Sequence, residues 1–444
     1  MKTMTEHTHI VLARVRRLLL AATLCLAADA ATAQDFREHF CDSTLRIDYI
    51  FAGSAYEQMI AVDKLNVMPG WYGKRGRLAE LPVEGNGQIT VTDYVTSEVL
   101  YVNSFSTLFQ EWLTYEDAAT SQRSFENVFL VPMPRHKVDV TVELHDSHRN
   151  TTAVLTHTVD PADILIRRVG FDGVTPYRTV VAAADTSRCI HIAYVAEGYT
   201  ESEMSVFLDD VSRANAALFA HEPFKSMQER FNVVAVMSPS EQSGTSHPAQ
   251  GDWRCTVLGS HFDTFYSDRY LTTLNLKTLH DVLAGVPYEH IIVLVNTDEY
   301  GGGGILNSYN LSMTHHPKFL PVVVHEFGHS FAGLADEYAY ADEALPMYPS
   351  DTEPWEENIT TLVDFGSKWA DMLPGGAVEA LATGDIAAVN AVGEGAIGLY
   401  EGAGYSLTGV YRPCVDCRMR TNENPDFCAV CRRAIRKMIA FYTE

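Results

Sequence analysis

Apolar and polar residues alternate with a period of two in short runs between about Phe36 and Asp160: Ser43 to Phe51, Gln88 to Val95, Glu98 to Val102, Val128 to Pro132 and Val138 to Leu144. Gly, Asn, Asp and Pro separate the runs, and this combination predicts a small antiparallel β-sandwich. From Arg188 the pattern changes. Ile190 to Ala196 is continuously apolar and reads as a strand buried on both faces, while Thr200 with Glu203 three residues later opens a helix expected to reach Phe219. Phe231 to Met237 and Ile291 to Asn296 read as further strands, and Leu271 to Leu283 as a helix. The glycines of Asp298-Glu-Tyr-Gly-Gly-Gly-Gly-Ile305 read as a flexible turn feeding an edge strand, Ile305 to Ser312, open to an extended peptide. Asp351 to Val392 reads as a helix-containing insertion, and Cys431 to Phe441 as a closing helix. The fold class is therefore α+β, with a β-sandwich domain over residues 34–160 and a mixed-sheet domain over 161–444.

Composition narrows the partners. In 444 residues, 46% are hydrophobic and 20% charged, enough for large buried cores, and the formal charge of -24 opposes binding to a phosphate backbone. Residues 1–33 have the form of an export signal: Arg14, Arg16 and Arg17, then apolar Leu18 to Ala28, then Ala31-Thr32-Ala33 as a cleavage site. That apolar core is roughly half the ~20 residues needed to span a bilayer. The expectation is a secreted, periplasmic or cell-surface chain without stable membrane insertion. Beyond Cys25 the cysteines are Cys41, Cys189, Cys255 and a C-terminal set, Cys414, Cys417, Cys428 and Cys431, spaced C-x-x-C, ten residues, C-x-x-C. In an exported chain these read first as disulfides, with a four-cysteine zinc site as the alternative.

The chemistry concentrates in Pro321 to Tyr338, which contains H-E-x-x-H. On a helix, His325 and His329 lie one turn apart on one face, so both imidazoles can reach one metal ion while Glu326 reaches toward its water. A catalytic zinc site usually takes three protein ligands. Gly333 lets the chain leave the helix, and Asp336 or Glu337 just beyond it can return to the metal.

His-Glu-x-x-His followed by Gly and a ligand three residues later is similar to the metzincin zinc peptidases, although both intervals after His329 are one residue longer here. The stretch H-E-F-G-H-S-F-A-G-L-A-D-E-Y from His325 to Tyr338 resembles more closely the IgA peptidase family of exported bacterial metallopeptidases. Gly402 to Tyr405, Tyr411 to Pro413, Cys417 to Arg420 and Phe427 to Cys431 extend the likeness. The resemblance implies a zincin or metzincin-like catalytic domain behind an accessory β-domain. It also implies Zn2+ held by His325, His329 and Asp336, Glu326 as general base, Met419 as the floor of the site, and a protein or peptide substrate. Tyr338, Arg412 and Arg420 are candidates for a substrate carbonyl or for structural ion pairs. Two other functions compete: a catalytically silent surface binding protein on the same scaffold, recognising a host protein or glycan, and a metal-stapled interaction module built on the C-terminal cysteines.

Overall fold

In the computed structural model, which describes residues 36–340, 347–375, 377, 381, 384, 386–390 and 397–444, the alternating N-terminal runs fold into two four-stranded sheets. The expected export signal lies outside the described residues. Strands β1 (Phe40–Gly53), β2 (Gln58–Pro69), β5 (Arg123–Pro134) and β8 (Arg167–Arg168) form one sheet, ordered β5-β1-β2-β8. The other, ordered β4-β3-β6-β7, comprises β3 (Gly87–Asp93), β4 (Val99–Phe105), β6 (Val138–His145) and β7 (Thr151–Val159). Aromatic residues lock the two together: the rings of Phe105 and Phe129 are 4.2 Å apart, and those of Phe51 and Phe105 are 6.3 Å apart. Along β1 the alternation marks two different interfaces, not core and solvent. Arg46 and Asp48 are 1% and 2% exposed. Arg46 pairs with Asp48 at 2.7 Å and with Asp281 at 2.6 Å, and it also donates to the Lys277 carbonyl. Helix Leu276–Val282 thus covers the outer face of β1, and a buried cation is tolerated because every charge on it is met.

The second half is built on a six-stranded sheet, β13-β14-β12-β10-β11-β9. Its strands are β9 (Tyr177–Val181), β10 (Ile190–Glu197), β11 (Phe231–Val236), β12 (His290–Val295), β13 (Gly302–Ile305) and β14 (Tyr309–Met313). The four inner strands run parallel, and the edge strands β9 and β13 run antiparallel to their neighbours. All of β10 is buried, which is why its sequence shows no alternation. Ala193, Val195, Ile291 and Val293 join the core shared with the sandwich. Ile192, Tyr194, Ile292 and Leu294 pack on the other side, in a core shared with helices Met204–Leu218, Phe319–Ala332 and Ala429–Thr443. Among the described residues, no helix is long and apolar enough to cross a membrane.

Several expected elements change. The helix expected from Leu271 begins only at Leu276, because Thr272 exchanges backbone hydrogen bonds with His261. The glycine run is itself the edge strand: Gly302, Gly303 and Gly304 pair with Ser312, Leu311 and Asn310, so the single strand expected over 305–312 is a hairpin. Nor is its outer edge open along its length. Tyr270 bridges to Gly302, and the Leu306 carbonyl accepts from Ser106 N at 3.2 Å. Between Asp351 and Val392 the described residues form two short 3-10 turns and helix Ile386–Asn390.

Candidate metal centre

Helix Phe319–Ala332 carries the centre. Val323, Val324, Phe327 and Phe331 are buried in the core on its inner face, each large side chain contributing about 1.5–3 kcal/mol, so the opposite face is held at a fixed height above the sheet. The helix stops at Gly333, whose φ of 59° is left-handed, and Leu334 N donates back to the Gly328 carbonyl at 3.2 Å. A side chain at Gly333 would also meet the Trp355 ring at 2.6 Å. The departing segment is then clamped by Asn358, which accepts from Ala335 N at 2.8 Å and donates to the Ala335 carbonyl at 2.9 Å.

This reversal returns Asp336 to the helix. Its Oδ1 lies 3.0 Å from His325 Nε2 and 3.3 Å from His329 Nε2, and the two Nε2 atoms are 3.0 Å apart. The tautomers follow from the far sides of the rings. His325 Nδ1 faces the Arg418 carbonyl at 3.0 Å and His329 Nδ1 faces the Leu334 carbonyl at 2.5 Å. A carbonyl can only accept, so both Nδ1 atoms carry hydrogen and both Nε2 atoms present lone pairs. Two imidazole lone pairs and a buried carboxylate oxygen that takes no hydrogen bond therefore converge on one point. Such a donor set fits a divalent cation with nitrogen and oxygen ligands. Without one, relief must come from protonation. Burial disfavours a charged His329, yet Asp336 and Glu326 outweigh it and push its pKa up to about 9.

The other sequence candidates take distinct places. Glu326 is buried beside Gly302, where an added Cβ would lie 2.6 Å from Glu326 Oε1, so the glycine strand makes room for this carboxylate. Burial raises the Glu326 pKa, while the two imidazoles pull the other way. Met419 is fully buried under the helix; a side chain at Gly328 would meet its sulfur at 2.7 Å. Glu337 does not face the histidines. It points into the C-terminal cysteines, with Oε1 3.0 Å from Cys431 Sγ and 3.0 Å from Asn358 Nδ2. Arg412 donates to the carbonyls of Glu401, Gly402 and Cys414, and Arg420 to that of Val415, so both arginines hold backbone in place of the expected ion pairs. Tyr338 lines the cleft, its hydroxyl 3.1 Å from that of Tyr405.

Three contributors escaped sequence reasoning. Tyr405 donates to Asp336 Oδ2 at 2.7 Å, Asn358 forms the clamp, and Glu111 enters the same cleft from the N-terminal half, accepting from the Tyr270 hydroxyl at 2.5 Å. Tyr405 had a signal, since it ends the Gly402 to Tyr405 stretch that extends the family likeness; Asn358 and Glu111 had none. The cleft measures about 920 Å3 and is walled by His325, Glu326, His329, Asp336, the glycine strand and several tyrosines. That is room for a stretch of peptide or a comparable ligand.

Comparison with known proteins adds a family. A family model described as IgA Peptidase M64 matches residues 179–384 and 382–439, and one described as Peptidase M64 N-terminus matches residues 35–156. No curated protein matches the chain.

Proposed function

The chain belongs to the M64 family of IgA peptidases and is a peptidase, and from that premise we propose that it is an exported, zinc-dependent endopeptidase of zincin or metzincin-like architecture. The observation that carries the metal assignment is the convergence of His325 Nε2, His329 Nε2 and Asp336 Oδ1 with their hydrogen-bearing nitrogens turned away. These three residues would hold the ion, leaving the cleft side open. A zinc ion in a three-ligand site lowers the pKa of a bound water to about 7 and polarises a carbonyl.

The remaining steps fall to side chains. Glu326 accepts a proton as water oxygen bonds to the peptide carbonyl carbon, and it delivers that proton to the amine nitrogen as the C–N bond breaks. Its burial suits the work: desolvation raises its pKa from the ordinary carboxylate value, against the pull of the two imidazoles, and so makes it a stronger base. Tyr338 and the bare backbone of Gly303 and Gly304 border the reacting centre and would orient the substrate main chain. The metzincin-like reading draws support from Met419 beneath the helix that carries both histidines. Export rests on the basic, apolar and small-residue pattern of residues 1–33.

Profiling of cleavage sites in a peptide library, with mature protein beside Glu326→Gln, tests the assignment. The variant should keep its metal while kcat/KM falls on the order of 10³-fold or more. Equal cleavage by both proteins would defeat it.

A further inference from the structure

The geometry points to a second metal site on the inner side of the peptidase centre: a soft divalent cation of the zinc class held by Cys414, Cys417 and Cys428, with the Cys431–Glu337 pair filling the fourth position. One ligand atom each from Glu337, Cys414, Cys417 and Cys428 lies within 4.8 Å of all the others, and Cys431 Sγ sits 3.8 Å from Cys417 Sγ and 3.0 Å from Glu337 Oε1. Sulfurs bound at about 2.3 Å around one tetrahedral ion are separated by about 3.8 Å. A disulfide requires about 2.05 Å. The four cysteines are unpaired, so the expectation of disulfides gives way to a cluster of thiols around a common point.

Local backbone geometry suits thiolates. Cys428 caps helix Ala429–Thr443 and its Sγ accepts from Cys431 N, while Cys417 Sγ accepts from Cys428 N at 3.2 Å. Amide donors and a helix N-terminus favour the charged sulfur that a cation needs. The fully buried Glu337 carboxylate beside the buried Cys417 and Cys431 and the half-buried Cys414 and Cys428, in contrast, needs either protons or a cation to balance its charge.

The position gives the site a purpose. Cys417 immediately precedes Arg418, whose carbonyl fixes His325, and lies two residues from Met419, whose carbonyl accepts from Glu337 N at 2.8 Å. Glu337 in turn follows Asp336. A cation joining Cys414, Cys417 and Cys428 beside Glu337 would therefore pin the Asp336 loop, the Met419 turn and the C-terminal helix to one another. This inference stands on the cysteine geometry and not on the peptidase reading.

The test is metal analysis by plasma mass spectrometry, with thiol counting, on the full chain purified without chelator. Two ions per chain are expected in wild type, one in His329→Ala and one in Cys417→Ser. Because Cys417→Ser can fail to fold, cobalt exchange into wild type and His329→Ala provides a second reading: both should show the thiolate-to-cobalt charge-transfer band. A single ion in wild type that persists in His329→Ala, with the band, would keep this site and remove the histidine centre. An ion lost entirely in His329→Ala, absence of the band, or an alkylated intact mass showing two disulfides among the four cysteines would each overturn the proposal.

Discussion

Asp336 and Glu337 are adjacent, both buried and both carboxylic acids, yet they look into opposite centres. Asp336 turns to two imidazoles and a tyrosine hydroxyl. Glu337 turns to thiols and the amide of Asn358. Burial alone would raise both pKa values; for Asp336 the facing imidazoles reverse this and hold it well below the usual carboxylate range, whereas for Glu337 burial and the neighbouring Cys417 leave it well above. One backbone segment thus supplies an ionised carboxylate to a cleft and a carboxyl to the cysteine cluster. Side-chain type cannot distinguish them; which way the chain faces after Gly333 does.

The largest break in that comparison is Asp336→Ala. It should empty the histidine centre and lower kcat/KM on the order of 10³-fold, in line with losing a group the transition state requires, while the cysteine-bound metal stays at one per chain. Retained hydrolysis, or loss of both ions together, would show that the two carboxylates do not divide the work as their directions suggest. Tyr405→Phe is gentler. It removes the hydrogen bond to Asp336 Oδ2 and leaves the ring in place, and loss of such a partner typically costs 10–100-fold in metal affinity. Competition with a chromophoric chelator measures it, and unchanged affinity would make Tyr405 a substrate contact only.

Much of this was legible because it is local. His325, Glu326 and His329 lie within one helical turn, and Gly333 announces the end of that helix from its own conformational preference. The alternation of β1 and the unbroken apolar run of β10 each record what lies on both faces of a strand. The glycine strand was misread because it has no β-propensity of its own; it exists because β14 pairs with it and because Glu326 and His329 leave no space for side chains there. Choosing between Asp336 and Glu337, and between thiols and disulfides, depended on Asn358, Tyr405 and Cys431, which are 21 to 94 residues away in sequence. No periodicity carries such contacts.

The smallest effect sharpens the contrast between carboxylates on the cleft wall and those in the centre. Glu111 is partly buried in the cleft, and burial raises its pKa to about 7 even though the Tyr270 hydroxyl pulls the other way. It is neutral below that pH and charged above it, so its charge changes across the neutral range. A substrate placing Lys or Arg against Glu111 should bind more tightly as the carboxylate forms, by about 1 kcal/mol or roughly fivefold in KM. The sign is fixed: KM falls as pH rises from 6 to 8, and Glu111→Gln should flatten that profile. On the proposed role of Glu326 in the bond-breaking step, kcat should keep its own pH dependence in the variant. A KM profile unchanged by Glu111→Gln would assign the neutral-range titration to the metal centre instead, and would leave Glu111 as a support for Tyr270.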